Sequence, residues 1–120
     1  MSDYQMGAIE SRFADIIWEN EPLSSTELAR RSEAVLGWKK STSYTVLKRL
    51  CDKGIFCNEG GQVTSRLSRE EFYSLQSEKF VEETFSGSLP AFLAAFTRRK
   101  ELTPEEVAFL RRMVRDHKEG

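Results

Sequence analysis

Between Arg30 and Lys53 the chain carries Arg30, Arg31, Lys39, Lys40, Lys48, Arg49 and Lys53 against only Glu33 and Asp52, an excess of five positive charges. The first 29 residues run the other way, with Asp3, Glu10, Asp15, Glu19, Glu21 and Glu27 facing Arg12 alone. A formal net charge of -1 therefore conceals one basic zone. Cations gathered in this way attract phosphate. The hydroxyls among them, Ser41, Thr42, Tyr44 and Thr45, can anchor phosphates or read a base edge at short range.

Other chemistries find little support. Cys51 and Cys57 stand in a C-x5-C spacing with one distant histidine, His117, which matches no common zinc pattern and cannot frame a disulfide scaffold. Two reduced structural thiols are the plain expectation, with redox sensing as the alternative. Glu70–Glu71, Glu82–Glu83 and Glu105–Glu106 are sequence neighbours, so they diverge by about 100° around a helix and suit solvated faces better than acid/base pairs. No Gly-rich phosphate loop and no Ser/His or Cys/His arrangement occurs. The expectation is a non-enzymatic chain without cofactor or metal. No apolar run approaches the ~20 residues of a membrane span, and the N-terminus lacks a basic-then-apolar leader layout, so a cytoplasmic chain without membrane insertion is expected.

The elements that must position the basic zone are announced by their caps. Ile9, Phe13, Ile16 and Ile17 share one helical face that ends near Asn20, before Glu21-Pro22. "LSSTEL" offers Ser24 as N-cap and Glu27 to close a capping box, with Leu23 stapling to Leu28. That helix should run to about Val35, and Gly37 marks the break. A third helix, Ser41 to Lys53, ends at Gly54, a residue suited to a left-handed cap. "IFCN" and "VTSRL" flank "EGGQ" as a hairpin. Two further boxes follow, Ser68/Glu71 and Thr103/Glu106, the latter with Pro104 at the first helical position. Between them lie a Phe-rich helix to about Phe85, a break at Ser86-Gly87-Ser88 and a short helix across "LPAFLAAF". The fold class expected is mainly α: a winged helix-turn-helix of three helices plus a β-hairpin wing over residues 1–67, then a C-terminal helical arm for dimerisation over 68–120.

On the third helix, spacing of 100° per residue gathers Ser43, Val46, Leu47 and Leu50 on one side, with Cys51 at its edge. Thr42, Tyr44, Thr45, Lys48, Arg49 and Asp52 occupy the other. An ordinary surface helix would need only mixed charges there. Hydroxyls, a tyrosine, a lysine and an arginine instead suit a major groove, with Lys39, Lys40, Arg30 and Arg31 near the turn where backbone contacts are expected.

In its motifs the chain resembles the penicillinase-repressor family, the small bacterial regulators of β-lactamase and methicillin resistance with their copper-responsive relatives. The resemblance covers nearly the whole length. It rests on "IIWENEPLSSTELARR", on "STSYTVLKRLCDKGI", on "LSREEFYSLQSEKFVEETFSGSLPAFLAAF" and on "LTPEEVAFLRRMV"; Arg49-Leu50-Cys51-Asp52-Lys53-Gly54 matches the family's R-L-x-x-K-G. It implies a homodimeric transcriptional repressor that binds double-stranded DNA at a palindromic operator. Carried over by position, Ser41, Thr42, Tyr44 and Thr45 would lie at the DNA surface, with Lys48 and Arg49 on the same face. The wing "NEGGQVTSR" is shorter and less basic than the family's, offering only Arg66 and carrying Glu59. "RRMVRDHKEG" lacks the cysteines of the copper-responsive branch. The β-lactamase branch is derepressed by cleavage of the arm just before a phenylalanine. The matching bond here is Ala95–Phe96, which would make a membrane sensor-protease a partner.

Phe72, Phe80, Phe85, Leu89, Phe92, Phe96 and Leu110 are the expected dimer-interface residues, because the arm carries more apolar area than a small winged core can cover. The competing expectation is a winged-helix adaptor that docks onto protein, without sequence-specific DNA binding. The weak wing and the acidic balance favour that alternative slightly, and the Lys/Arg/Thr face of the third helix opposes it.

Overall fold

The computed structural model describes residues 6–117, so Asp3 and the outer ends of the two expected domains, 1–5 and 118–120, lie outside the described residues. The chain divides into two compact units, one ending at Lys79 and the other beginning at Phe80.

The first unit is built from α1 (Ala8–Asn20), β1 (Leu23–Ser24), α2 (Ser25–Leu36), α3 (Lys40–Asp52), β2 (Phe56–Glu59), β3 (Gln62–Ser65) and the start of α4 (Arg69–Phe85). Phe13, Ala14, Ile16 and Ile17 form the buried face of α1. Ile9 was expected on that face but is 50% exposed: burial of α1 begins at Phe13, and its first turn extends past the covered part. α2 starts as expected, the Glu27 N–H donating to the Ser24 hydroxyl at 3.0 Å. The box is only half formed, because the Glu27 carboxylate turns to Arg30 and Arg31 instead of reaching back. Gly37 ends the helix with a φ of 71°.

α3 begins and ends one residue earlier than its capping pattern suggested. Its C-terminus is a Schellman closure: Gly54 has a φ of 86°, and the Ile55 N–H donates to the Leu50 carbonyl at 3.1 Å. Ile55 and Leu50 are both fully buried, so one turn caps the helix and seals the core.

The wing pairs β2 with β3 around Gly60-Gly61, whose φ values of 59° and 85° give the primed turn that suits strand twist. A third strand was not anticipated. Leu23 and Ser24 pair antiparallel with Val63 and Gln62, giving the order β1-β3-β2. Two residues show no alternation, so this strand exists only through its partner. Phe13, Ile17, Leu28, Leu47, Leu50, Ile55, Phe56 and Val63 close one core. Trp38 stacks on Phe13 at 5.2 Å, and the Trp18 indole N–H donates to the Leu67 carbonyl at 2.9 Å.

Phe72, expected at a dimer interface, is instead a core residue of this unit. It is 2% exposed and lies 5.7 Å from the Trp18 ring. The Ser68/Glu71 box fixes this start of α4 with reciprocal bonds of 2.9 and 3.0 Å. Arg69 ties it to Asp15 and Glu19.

The second unit holds the end of α4, α5 (Leu89–Thr97) and α6 (Pro104–Asp116). Ser86 and Gly87, with φ values of 51° and 80°, break the chain between α4 and α5. Ser88 caps α5, and the Thr103/Glu106 box with Pro104 starts α6. Phe80, Phe85, Phe92 and Phe96 form a ring cluster with centroid separations of 5.6 to 6.2 Å. None of the described residues of this unit is buried. Among the described residues, no helix is long and apolar enough to cross a membrane.

Candidate nucleic-acid interface

The buried side of α3 consists of Ser43, Val46, Leu47 and Leu50, and its outer side presents Ser41, Thr42, Tyr44, Thr45, Lys48 and Arg49 to solvent. The split follows from helical spacing, since residues three and four apart share a face. Val46, Leu47 and Leu50 anchor the helix in the core. Tyr44 is 39% exposed and lines a shallow groove between α3 and β2 with Lys48, Cys51 and Asn58. On the other flank, Ser41, Thr42, Thr45 and Arg49 line a second groove. Ser43 points inward, and its buried hydroxyl has no partner among the described residues.

The first turn of α3 carries exposed cations without an ion-pair partner among the described residues. Lys39 is the N-cap and Lys40 the first helical residue; both are exposed, and neither makes an ion pair with a described residue. No side chain caps this end. Backbone N–H groups of a first helical turn and the positive end of the helix dipole favour an anion there, and two ammonium groups add to that field.

Elsewhere the basic zone is partly neutralised, mostly by carboxylates that precede it in the chain. Arg30 and Arg31 both bind the Glu27 carboxylate, at 2.6 and 2.8 Å. Lys48 lies 3.3 Å from Asp52. Arg49 donates to Glu10 of α1 at 2.8 Å. The hydrogen bond from Arg30 holds the Glu27 carboxyl below its ordinary value against some desolvation, and the same pairing raises Arg30. For Glu10, burial pushes the carboxyl up but is outweighed. The Gly7 N–H, the Arg49 hydrogen bond and the charges of Lys53 and Arg49 leave it below the ordinary value.

The wing contributes one cation. Arg66 follows β3, and its guanidinium sits 3.9 Å from the Cys57 sulfur, whose thiol donates to Glu59 at 3.3 Å. Both cysteines are free and partly buried. Burial above all, with Asp52 nearby, pushes the Cys51 thiol up at the groove edge. The wing tip itself, Glu59 to Gln62, carries no cation.

Lys39, Lys40, Ser41, Thr42, Tyr44, Thr45, Lys48 and Arg49 are thus brought together on one exposed strip, and Arg66 stands on the wing beside Cys57. Sequence reasoning missed the carboxylates. Three of the pairings were available from i,i+3 and i,i+4 spacing, Glu27 with Arg30, Glu27 with Arg31 and Lys48 with Asp52. Glu10 and Arg49 stand 39 positions apart, and only the fold joins them.

In the second unit Phe80, Leu89 and Phe96 are about half exposed, Phe85, Phe92 and Leu110 are partly covered, and Ala95–Phe96 lies on the exposed surface of α5. Leu102, Val107, Leu110 and Val114 line one apolar groove along α6.

The family model described as Penicillinase repressor matches residues 6–116 of this chain. The chain is also similar to the Penicillinase repressor of Bacillus licheniformis, at 23% identity over 118 residues, covering 95% of this chain and 92% of that relative.

Proposed function

The chain belongs to the penicillinase repressor family, and we propose that it is a homodimeric transcriptional repressor that reads a palindromic DNA operator with the helix Ser41–Lys53. The observation that carries this reading is the outer strip of α3, where hydroxyls, Tyr44 and lysines stand clear of a core that holds the opposite side. Tyr44 and Lys48 are the base-reading side chains. Lys39 and Lys40 take the flanking phosphates, with Arg49 and Arg66 beside them. The first unit, with the start of α4 in its core, serves DNA binding, and the helices that follow serve dimerisation.

The dimer is supported by the second unit, which buries none of its described residues while exposing Phe80, Leu89, Phe96, Phe109 and Met113. Apolar area of that kind ordinarily marks a partner surface. Two-fold symmetry would set the recognition helices in successive major grooves, with half-sites centred roughly 10 bp apart or a multiple of it. Cleavage between Ala95 and Phe96 by a membrane sensor-protease would cut α5 two residues before its end, part it from the link and α6, and release the operator without touching α3.

The test is a gel shift with DNA from upstream of the gene at two salt concentrations, joined to sedimentation of the free protein. Salt-sensitive binding by a dimer is expected. A stable monomer at micromolar concentration that ignores duplex DNA would refute this reading and favour the protein-docking adaptor.

A further inference from the structure

We propose that Glu10 is a positioning residue for DNA discrimination: it holds the Arg49 guanidinium in an internal ion pair that a correctly seated phosphate completes and random duplex does not recruit. The inference rests on the DNA-binding role of α3 proposed above and adds to it a residue on a different helix.

Glu10 is held at both oxygens. One accepts the Gly7 N–H at 3.1 Å at the start of α1, and the other accepts from Arg49 Nη1 at 2.8 Å. Its side chain is only 20% exposed, whereas that of Arg49 is 51% exposed. The carboxylate is therefore the fixed partner and the guanidinium the outward-facing one. A guanidinium has five N–H donors in a planar fork, and the bond to Glu10 engages one edge of it. The remaining donors belong to a side chain that borders the groove of Ser41, Thr42 and Thr45.

Two consequences follow. The pair carries no net charge, so Arg49 adds little to the long-range attraction that governs non-specific binding. The fork is also pre-oriented, so a phosphate arriving at the α3 surface meets aligned donors without having to order them. Glu10 thus lowers affinity for random duplex while preserving affinity for the site that seats a phosphate against Arg49.

The experiment compares wild type, Glu10→Gln and Glu10→Gln/Arg49→Gln on two probes. One is the duplex that wild type selects from a randomised pool; the other is random-sequence duplex of the same length. Each is titrated against salt. Glu10→Gln is expected to bind random duplex about three- to tenfold tighter at low salt, with log K falling more steeply with log salt by about one per protomer. On the selected duplex, gained charge and lost orientation offset, so the ratio of selected to random affinity falls. The double variant should return the random-duplex slope to that of wild type. Because a merely structural tie would not alter the slope, thermal melting of each variant separates folding loss from this effect. An unchanged ratio and slope in Glu10→Gln overturns the inference alone, as does a changed slope that persists in the double variant. Wild type that selects no duplex overturns the DNA-binding reading and this inference with it.

Discussion

Replacing Lys39 and Lys40 together by Gln removes the two cations of α3 that make no ion pair with a described residue. Both are exposed, and Lys39 occupies an N-cap whose side chain makes no capping bond, so the double substitution should leave the fold and its melting temperature nearly unchanged. The binding cost follows from counterion release. Each neutralised phosphate contributes about -0.9 to the slope of log K against log salt, so the four lysines of a dimer account for about -3.6 and the two of a monomer for about -1.8. Between 50 and 200 mM salt a slope of that size changes affinity by roughly two orders of magnitude for the dimer and roughly one for the monomer. Fluorescence anisotropy on a labelled duplex, repeated at four or five salt concentrations, reads the slope directly. A flattening of about three to four units in the double variant is expected. A slope within one unit of wild type would show that the first turn of α3 does not meet phosphate, and the placement of this helix would then be wrong.

Four other outcomes are expected. Tyr44→Ala should cost about 1–3 kcal/mol on the preferred duplex and change which base is favoured there, as read by competition among single-base variants of the site. Ser43→Ala should raise stability by about 1 kcal/mol in urea unfolding and leave DNA affinity alone, since it removes a buried hydroxyl without a described partner from the inner face. Gly54→Ala should lower stability by about 1–2 kcal/mol in the same assay, because a φ of 86° puts a Cβ in the left-handed region where α3 closes. Truncation after Ala95 should abolish dimerisation in sedimentation and lower operator affinity by orders of magnitude; retention of full-length affinity would rule out release by cleavage.

Much of the architecture was legible because its signals are local. Ser24, Ser68 and Thr103 each precede a glutamate by three residues, and each does start a helix. Gly54, Gly60 and Gly61 stand where a positive φ is required, so the end of α3 could be placed to within a residue and the turn of the wing at its two glycines, although β3 ends at Ser65, two residues before the expected Leu67. What was hidden depends on partners distant in sequence. β1 is two residues long and exists through Val63 and Gln62. Phe72 looked like one more arm aromatic, but Trp18, 54 positions earlier, draws it into the first core. The outer face of α3 was readable from its spacing. The charge state of that face was not, because Glu10 approaches from another helix.

The acidic stretch and the basic zone are parts of one arrangement. Glu10 of α1 meets Arg49, and Glu27 of α2 meets Arg30 and Arg31, so the fold spends the early carboxylates on the later cations. A pair of this exposure contributes only about 0–1 kcal/mol. One good bidentate base contact is worth about 1–3 kcal/mol of discrimination. On the proposed reading the pairs are weak enough to let a phosphate join the free donors of the arginines where base contacts of Tyr44 and Lys48 would hold the helix in register. They are also sufficient to mask charge where those contacts are missing. With a net charge of -1 the whole molecule exerts little long-range pull on a polyanion. On the proposed reading, the local field of Lys39, Lys40 and the α3 N-terminus would capture the first phosphates, and sequence would decide whether the paired arginines follow.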